Sequence, residues 1–442
     1  MNDFIKYLRT INIYKKAFWL YLILLFVEGM FRKWFMPGAS NFWMIVREPI
    51  VIWLVIVGFY KGWIKSPVAI AFMVIGVVSF ITTMIFGHQN LFIALYGLRI
   101  WLFHMPFIFV MAYILDKRDL KRILQFLVFV FILATPLFLM QFFSPPNTIW
   151  NATVGGEISD AEMAANGAVR PSGFFANGVS SAYFNPLMFS ILLAVYFSSY
   201  YRKFINPSVF LLFLVGIAVT LVTSVSRGTV IQSIITLVVV SVWLQVAGAK
   251  NNLWKILGVI LILVVFINLF QSTEYGARLL APITYRFESA AESEGGTKGI
   301  FISRVIGPYL WYKTPDLSLF GKGLGLSSNF AAQTLTGGYN FILGEWSSQQ
   351  ITGEMGLILG TIIFFLKIGL LVYLIKRSYI AARYRKEYLP IALWPFVFTS
   401  FANGHYNLTS TLGFIVLGMI LLLLSLKTNR NAYSKNRVFR HS

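Results

Sequence analysis

Cysteine is absent from the 442 residues, and acidic side chains are few: 16 Asp and Glu stand against 37 Lys and Arg. The first absence excludes disulfides, thiolate metal sites and thiol chemistry. Charge of either sign is thin, 12% of the chain, while 57% is hydrophobic, far from the balance of a soluble globular domain. A cleavable signal pattern is also missing from M-N-D-F-I-K-Y-L-R-T, so the apolar run behind it reads as a retained anchor.

What the chain does have is apolar runs of about 20 residues, long enough to cross a ~30 Å hydrocarbon core as helices. Twelve fall near residues 17–36, 41–60, 67–86, 91–114, 120–143, 178–199, 207–225, 228–247, 253–270, 350–374, 388–402 and 408–426. Such runs do not alternate as barrel strands do, and backbone in lipid must satisfy itself. The expected fold is therefore all-α: a polytopic membrane helical bundle of about 12 transmembrane helices, one integral membrane domain over residues 1–442.

The net charge of +21 could suggest a nucleic-acid partner, but its placement reads as topology. With both termini cytoplasmic, the inner segments collect Lys15 and Lys16, Lys61 and Lys65, Lys117 through Arg122, Arg202 and Lys203, and Lys376 through Lys386. The tail adds more, while the short outer loops hold only Arg32, Lys33, Arg170 and Arg227. Two external segments are longer: a loop at 144–177, and a loop at 271–349 between the ninth and tenth spans. Structureless loops of that length are rare unless functional, so the second is expected to be partly helical and to cover an active site. Its best helical candidate is I-F-I-S-R-V-I-G-P-Y-L-W-Y, amphipathic and aromatic.

Arg227 lies in V-T-S-V-S-R-G, at the outer end of a span by this count. Ser226 or Thr229 is placed to cap the helix that follows, and an arginine beside a helix N-terminus suits an anion, phosphate above all. A snorkelling arginine that marks the interface is the other reading. Glu28, Arg47, Glu48, Arg99 and His104 fall inside apolar runs and are either functional or a structural ion-pair network. Lys367, near the inner end of its span, reads as a snorkel.

The long loop carries Arg278, Arg286, Arg304, Lys313 and Lys322. Its acidic run with Glu288, Glu292 and Glu294 reads as solvated carboxylates rather than a metal site, and the chain has no D-x-D, so a metal-dependent nucleotide-sugar transferase of the usual kind is not expected. L-F-G-K-G-L-G-L-S-S lacks the strand–helix unit of a nucleotide-binding loop and reads as a tight turn that lets backbone approach a ligand. Glu345, beside Trp346 where the next span begins, is placed either as a general base or as a helix-start carboxylate. Glu354, further along, reads as structural.

The order of these features resembles the O-antigen polymerase and O-antigen ligase superfamily of bacterial membrane glycosyltransferases. S-V-S-R-G ends a middle helix; R-F-E-S and S-R-V-I-G-P-Y-L-W follow in a long external loop; G-K-G-L-G and G-E-M-G-L-I-L-G come next. The similarity covers roughly residues 207–375, and E-G-M-F-R-K-W-F-M-P near the N-terminus adds to it. It implies metal-independent glycosyl transfer with no cofactor. The donor is a glycan on undecaprenyl pyrophosphate, and an acceptor sugar hydroxyl attacks its anomeric carbon. Arg227 would bind pyrophosphate, with Arg286 and Arg304 closing over it; bidentate pairing favours arginine for that task. Arg170 and Lys322 join them as candidate substrate-binding residues.

The ligase branch is expected to carry a histidine base shortly before the tenth span, yet residues 271–349 contain none; the chain has only His88, His104, His405 and His441. Base duty would pass to Glu345 or to His405 in N-G-H-Y-N. That departure favours polymerisation of lipid-linked repeat units for O-antigen, capsule or exopolysaccharide over ligase-type transfer. The expected partners are the lipid-linked donor, the glycan acceptor, membrane lipids and a chain-length regulator, with no nucleic acid. The expected location is a bacterial cytoplasmic membrane, the active site facing the periplasm or exterior. A polysaccharide transporter is the non-enzyme alternative, but it would want a polar path through both membrane halves.

Overall fold

In this computed structural model, residues 7, 10–158, 168–246, 248, 254, 271–302, 306–314, 316–338, 343, 344 and 346–427 are described. The long elements are α1 (Ile13–Met30), α2 (Glu48–Tyr60), α3 (Pro67–Phe86), α4 (Leu91–Ile114), α5 (Lys117–Phe143) and α6 (Gly178–Phe197). They continue with α7 (Pro207–Thr223), α8 (Arg227–Val246), α9 (Glu274–Glu294), α10 (Ser347–Arg385), α11 (Leu389–Asn403) and α12 (Thr409–Leu426). No β-strand occurs among the described residues. Eight helical stretches among them are long and apolar enough to cross a membrane, and α7 and α11 are shorter apolar helices. The expected span at 253–270 lies outside the described residues.

Local chemistry sets the starts. Asn12, Asp116 and Asn177 each accept a backbone N–H in the first turn of α1, α5 and α6. Pro67 and Pro207 occupy first-turn positions where no N–H is needed. Burial then sorts the helices. α12 is 94% buried along its apolar window and forms the centre of the bundle, while α8 is only 28% buried. On α8, Ile234, Val238, Val242 and Val246 recur every fourth residue and are each about half exposed. A continuous apolar stripe of that kind is costly in water and ordinary in lipid, which fits a multi-pass membrane protein.

Successive helices alternate between two ends. One end gathers Lys15, Asp116, Asp119, Lys117, Tyr201, Glu387 and Lys427, linked by the Lys15–Asp116 (2.8 Å) and Lys15–Asp119 (2.5 Å) ion pairs and by Lys117–Glu387. The opposite, loop-rich end joins Lys33 to Ser172, Trp34 to Ile149, Asn407 to Ser327 and Thr409 to Glu28.

The charges inside apolar runs resolve into ion pairs. Glu28 takes Arg47 (2.8 Å) and Arg32 (3.2 Å) and also accepts from the Thr409 hydroxyl. Glu48 pairs with Arg99 and stands 3.7 Å from His104 Nε2. A turn at Val46 and Arg47 interrupts the second run between the short helix Ser40–Ile45 and α2, whose first residue is Glu48. Every charge has an opposite neighbour there, which is the structural alternative of the two.

Two expectations for the tenth span are corrected together. α10 is not one rod: Gly356, at φ 83°, breaks it into segments 347–355 and 357–385. Residues 352 and 360 would be about 12 Å apart along a continuous helix. Here a Cβ on Gly360 would lie 2.7 Å from Thr352 Cα, so the chain folds back on itself. Lys367, expected to snorkel, is buried, and its Nζ donates to the Ala402 carbonyl at 2.9 Å beside the Tyr406 ring. In the long loop the amphipathic helix is α9, upstream of the stretch expected; that stretch holds the end of a short helix (Gly296–Phe301) and 3-10 turns at Gly307–Tyr309 and Trp311–Lys313.

Candidate functional site

The site begins at the three-residue turn between α7 and α8. Thr223 ends α7, Ser224 is its C-cap, and Val225 follows in the left-handed region at φ 45°. A helix end commonly reverses through a left-handed residue, but glycine normally fills that place. A buried β-branched residue there costs of order 1–3 kcal/mol of backbone strain and persists only when its surroundings demand it. Those surroundings include two arginines from distant segments. Arg286 Nη1, on α9, donates to the Val225 carbonyl at 3.4 Å, and Arg170 Nη2, from the 144–177 loop, donates to Ser226 Oγ at 3.3 Å. Arg227 is the next residue, the first of α8.

Of the two proposed caps, Ser226 fills the role: its Oγ accepts the Thr229 N–H at 3.4 Å. Gly228 is exposed, and a Cβ built there would meet nothing nearer than Ser226 Oγ at 3.8 Å. The first turn of α8 is thus open on one side at Gly228, its Thr229 N–H taken by the Ser226 cap, with three guanidinium-bearing residues around it. Such a place suits an anion with several oxygens.

Arg170 also lines a cavity of about 930 Å³ at the loop-rich end. Arg32 shares that lining, with the carboxamides of Asn41, Asn329, Gln333 and Asn407. Phe92, Tyr96 and Phe330 give it an aromatic side; the Tyr96 and Phe330 rings are 5.4 Å apart, and the Arg99 guanidinium lies 4.0 Å from the Tyr96 ring. Asn151 and Asn177 complete the carboxamide set, but their side chains are spent on loop carbonyls and on the α6 cap. Carboxamides that both donate and accept, beside flat apolar rings, match a ligand rich in hydroxyls.

His405 lies two residues before the cavity-lining Asn407, in the turn between α11 and α12, and does not itself line the cavity. Its backbone N–H donates to the Tyr183 hydroxyl at 3.2 Å. Burial, and then the positive charge of Arg170, push its pKa below the ordinary histidine value, so the ring is neutral at neutral pH. Gly404 permits the turn, since a Cβ there would meet the Ser400 carbonyl at 2.1 Å.

The other sequence candidates are placed elsewhere. Lys322 reaches outward to the exposed Asp316 at 3.2 Å and does not line the cavity. The G-K-G-L-G turn brings its backbone against protein rather than a ligand: a Cβ at Gly321 would overlap the Glu354 carbonyl (2.2 Å), and one at Gly325 the Ile93 carbonyl (2.4 Å). Glu354 anchors that loop, accepting the Gly325 N–H at 3.1 Å and the Ser327 N–H at 2.9 Å. Ser327 in turn joins Asn407, tying the loop to the His405 turn. Arg304 and Glu345 lie outside the described residues. Among the described residues, no three His, Asp or Glu side chains cluster as metal ligands would.

The structure thus draws Arg170, Arg227, Arg286 and His405 to one end of the bundle. Sequence reasoning missed the carboxamides and Arg32, which are single loop and helix-end residues with no common spacing. No protein-family model matches the chain, and no curated protein matches its sequence.

Proposed function

We propose that this chain is a glycosyltransferase that extends a lipid-linked glycan, with the donor's pyrophosphate at the 224–228 turn and its sugars in the carboxamide cavity. The observation that supports it is the double placement of Arg170, which binds Ser226 at the open helix start and also lines the cavity. A ligand that is polyhydroxylated at one end and multiply anionic at the other spans these two places.

In this reading the acceptor hydroxyl forms a bond to the donor's anomeric carbon while the bond from that carbon to phosphate oxygen breaks. The electron pair leaves with the lipid pyrophosphate. Arg170, Arg227 and Arg286 hold the charge that develops there, an electrostatic contribution that grows as the bond lengthens. The hydroxyl proton passes to a base, and neutral His405 is competent to take it. Orientation of two sugars in one cavity supplies the rest. The donor is a glycan on undecaprenyl pyrophosphate, the membrane is the bacterial cytoplasmic membrane, and the site faces away from the cytoplasm. The arginines supply the charge without a metal ion, and repeat-unit polymerisation is preferred to ligase-type transfer because residues 271–349 carry no histidine.

The test is direct. Purified chain, in EDTA, is given a short glycan on undecaprenyl pyrophosphate, and the products are separated by length. Longer lipid-linked glycans from the native chain, strongly reduced in Arg227→Lys and Arg170→Lys, support the reading. A ladder that survives both substitutions removes this site, and authentic substrate left unchanged by folded native chain removes the polymerase.

A further inference from the structure

A second cavity, of about 790 Å³, opens at the opposite end, where α4, α10 and α12 meet the loop before α3. Its rim carries Lys65, Arg377 and Lys427, and no carboxylate is among its lining residues. Among the described residues, the carboxylates at this end are engaged elsewhere: Asp116 and Asp119 pair with Lys15, and Glu387 with Lys117. No carboxylate among the described residues pairs with Lys65 or Arg377, so the rim keeps positive charge at those two positions.

The geometry around the rim is that of an interface. Lys427 Nζ donates to the Tyr113 (3.1 Å) and Leu115 (2.6 Å) carbonyls, holding the end of α12 against the end of α4. Lys65 Nζ is 5.4 Å from the Tyr113 ring and the Arg377 guanidinium 5.9 Å from the Tyr373 ring. Trp63 stacks on Tyr113, with ring centroids 6.2 Å apart. Below these, Phe109, Leu374 and Leu423 make the wall apolar. Cations above aromatics above aliphatic side chains repeat the order of headgroup, interface and acyl chain. The positive-inside bias sets this end against the cytoplasmic leaflet, where anionic lipids lie.

We propose that this cavity binds the phosphate headgroup of an anionic phospholipid, its acyl chains running along α4, α10 and α12. The site is independent of the transfer chemistry at the other end.

The test uses the full chain, purified in neutral detergent and titrated with phosphatidylglycerol or phosphatidylcholine, bound lipid being counted by native mass spectrometry. Phosphatidylglycerol binds in preference to phosphatidylcholine. Each rim cation contributes roughly fivefold, so Lys65→Gln with Arg377→Gln weakens that binding about 25-fold. Lys65→Arg with Arg377→Lys retains it. Lys203→Gln with Lys376→Gln removes equal charge from exposed positions at the same end, outside the cavity, and leaves binding unchanged. Three results overturn the proposal: equal retention of both lipids, equal loss in the Lys203/Lys376 pair, or binding of inorganic phosphate that depends on Lys65 and Arg377 without retention of phosphatidylglycerol.

Discussion

Gly228→Ala separates stability from function at the proposed pyrophosphate site. Glycine costs up to about 1 kcal/mol relative to alanine within a helix, and less in the first turn. The added Cβ meets only Ser226 Oγ, at an ordinary contact distance of 3.8 Å, so nothing offsets that gain by steric overlap. The expected effect on the folded chain is a stabilisation of about 0.5–1 kcal/mol, a rise of roughly 1–2 °C in melting temperature for a chain of this size. The same methyl group stands on the exposed face of the first turn of α8, where a phosphate oxygen would sit. One hydrogen bond to a charged group contributes about 1.5–3 kcal/mol, so its loss lowers transfer by tenfold to roughly 150-fold. Thermal unfolding in detergent and the glycan-extension assay read the two effects on one preparation. A more stable protein with lower activity is the expected result. A more stable protein with native activity would refute the placement of the ligand at this helix start, whatever the arginines do. Gly228→Ala that destabilises would refute the structural premise that the first turn is open.

Three further outcomes follow from the same structure. Because neutral His405 is the proposed base, activity falls as pH drops through its lowered pKa; Arg170→Gln removes a charge that depresses it, so the acid limb of the pH–rate profile moves to higher pH, while an unmoved limb separates Arg170 from His405. Glu28→Gln leaves Arg47 buried without its carboxylate and costs about 3–5 kcal/mol, seen as loss of monodisperse protein after purification; recovery of native stability would show that Thr409 and Tyr21 suffice to hold the guanidinium. Gly356→Ala places a Cβ 2.3 Å from the Leu319 carbonyl at a positive φ, and a drop of more than about 2 kcal/mol in unfolding free energy is expected; a neutral substitution would contradict the break in α10.

How far the sequence could be read depends on whether a feature is written locally. Apolar length and local breakers are local, and the span at 67–86 has the same ends as α3, Pro67–Phe86, because proline at one end and G-H at the other mark it. The fold-back at Gly356 is not local. G-E-M-G-L-I-L-G is uniformly compatible with helix, and only the backbone of Leu319 to Gly321, packed against Gly356, decides that the chain turns there. The misreading of Lys367 follows from that one. Counted from residue 350, position 367 falls about 26 Å along a rod, near the far interface, where a lysine can snorkel. Counted from 357, after the turn, it falls only about 15 Å along, too deep to reach either surface, and so it bonds the Ala402 carbonyl.

The candidate site divides in the same way. Arg227 stands out in the sequence because a charge between two apolar runs is conspicuous, and Arg286 only because its place in the long loop resembles an order of motifs. Their convergence was not legible, since no spacing relates residues 170, 227 and 286. What relates them is the Val225 carbonyl and the Ser226 hydroxyl, two acceptors presented by a turn whose strain no hydropathy count records. A glycine at 225 would remove the backbone strain and keep the carbonyl that Arg286 bonds, but it would widen the set of conformations open to the turn. A valine at φ 45° narrows the conformations of that acceptor, the Ser226 cap and the Arg227 backbone, as the proposed charge-stabilising site would require before any substrate arrives.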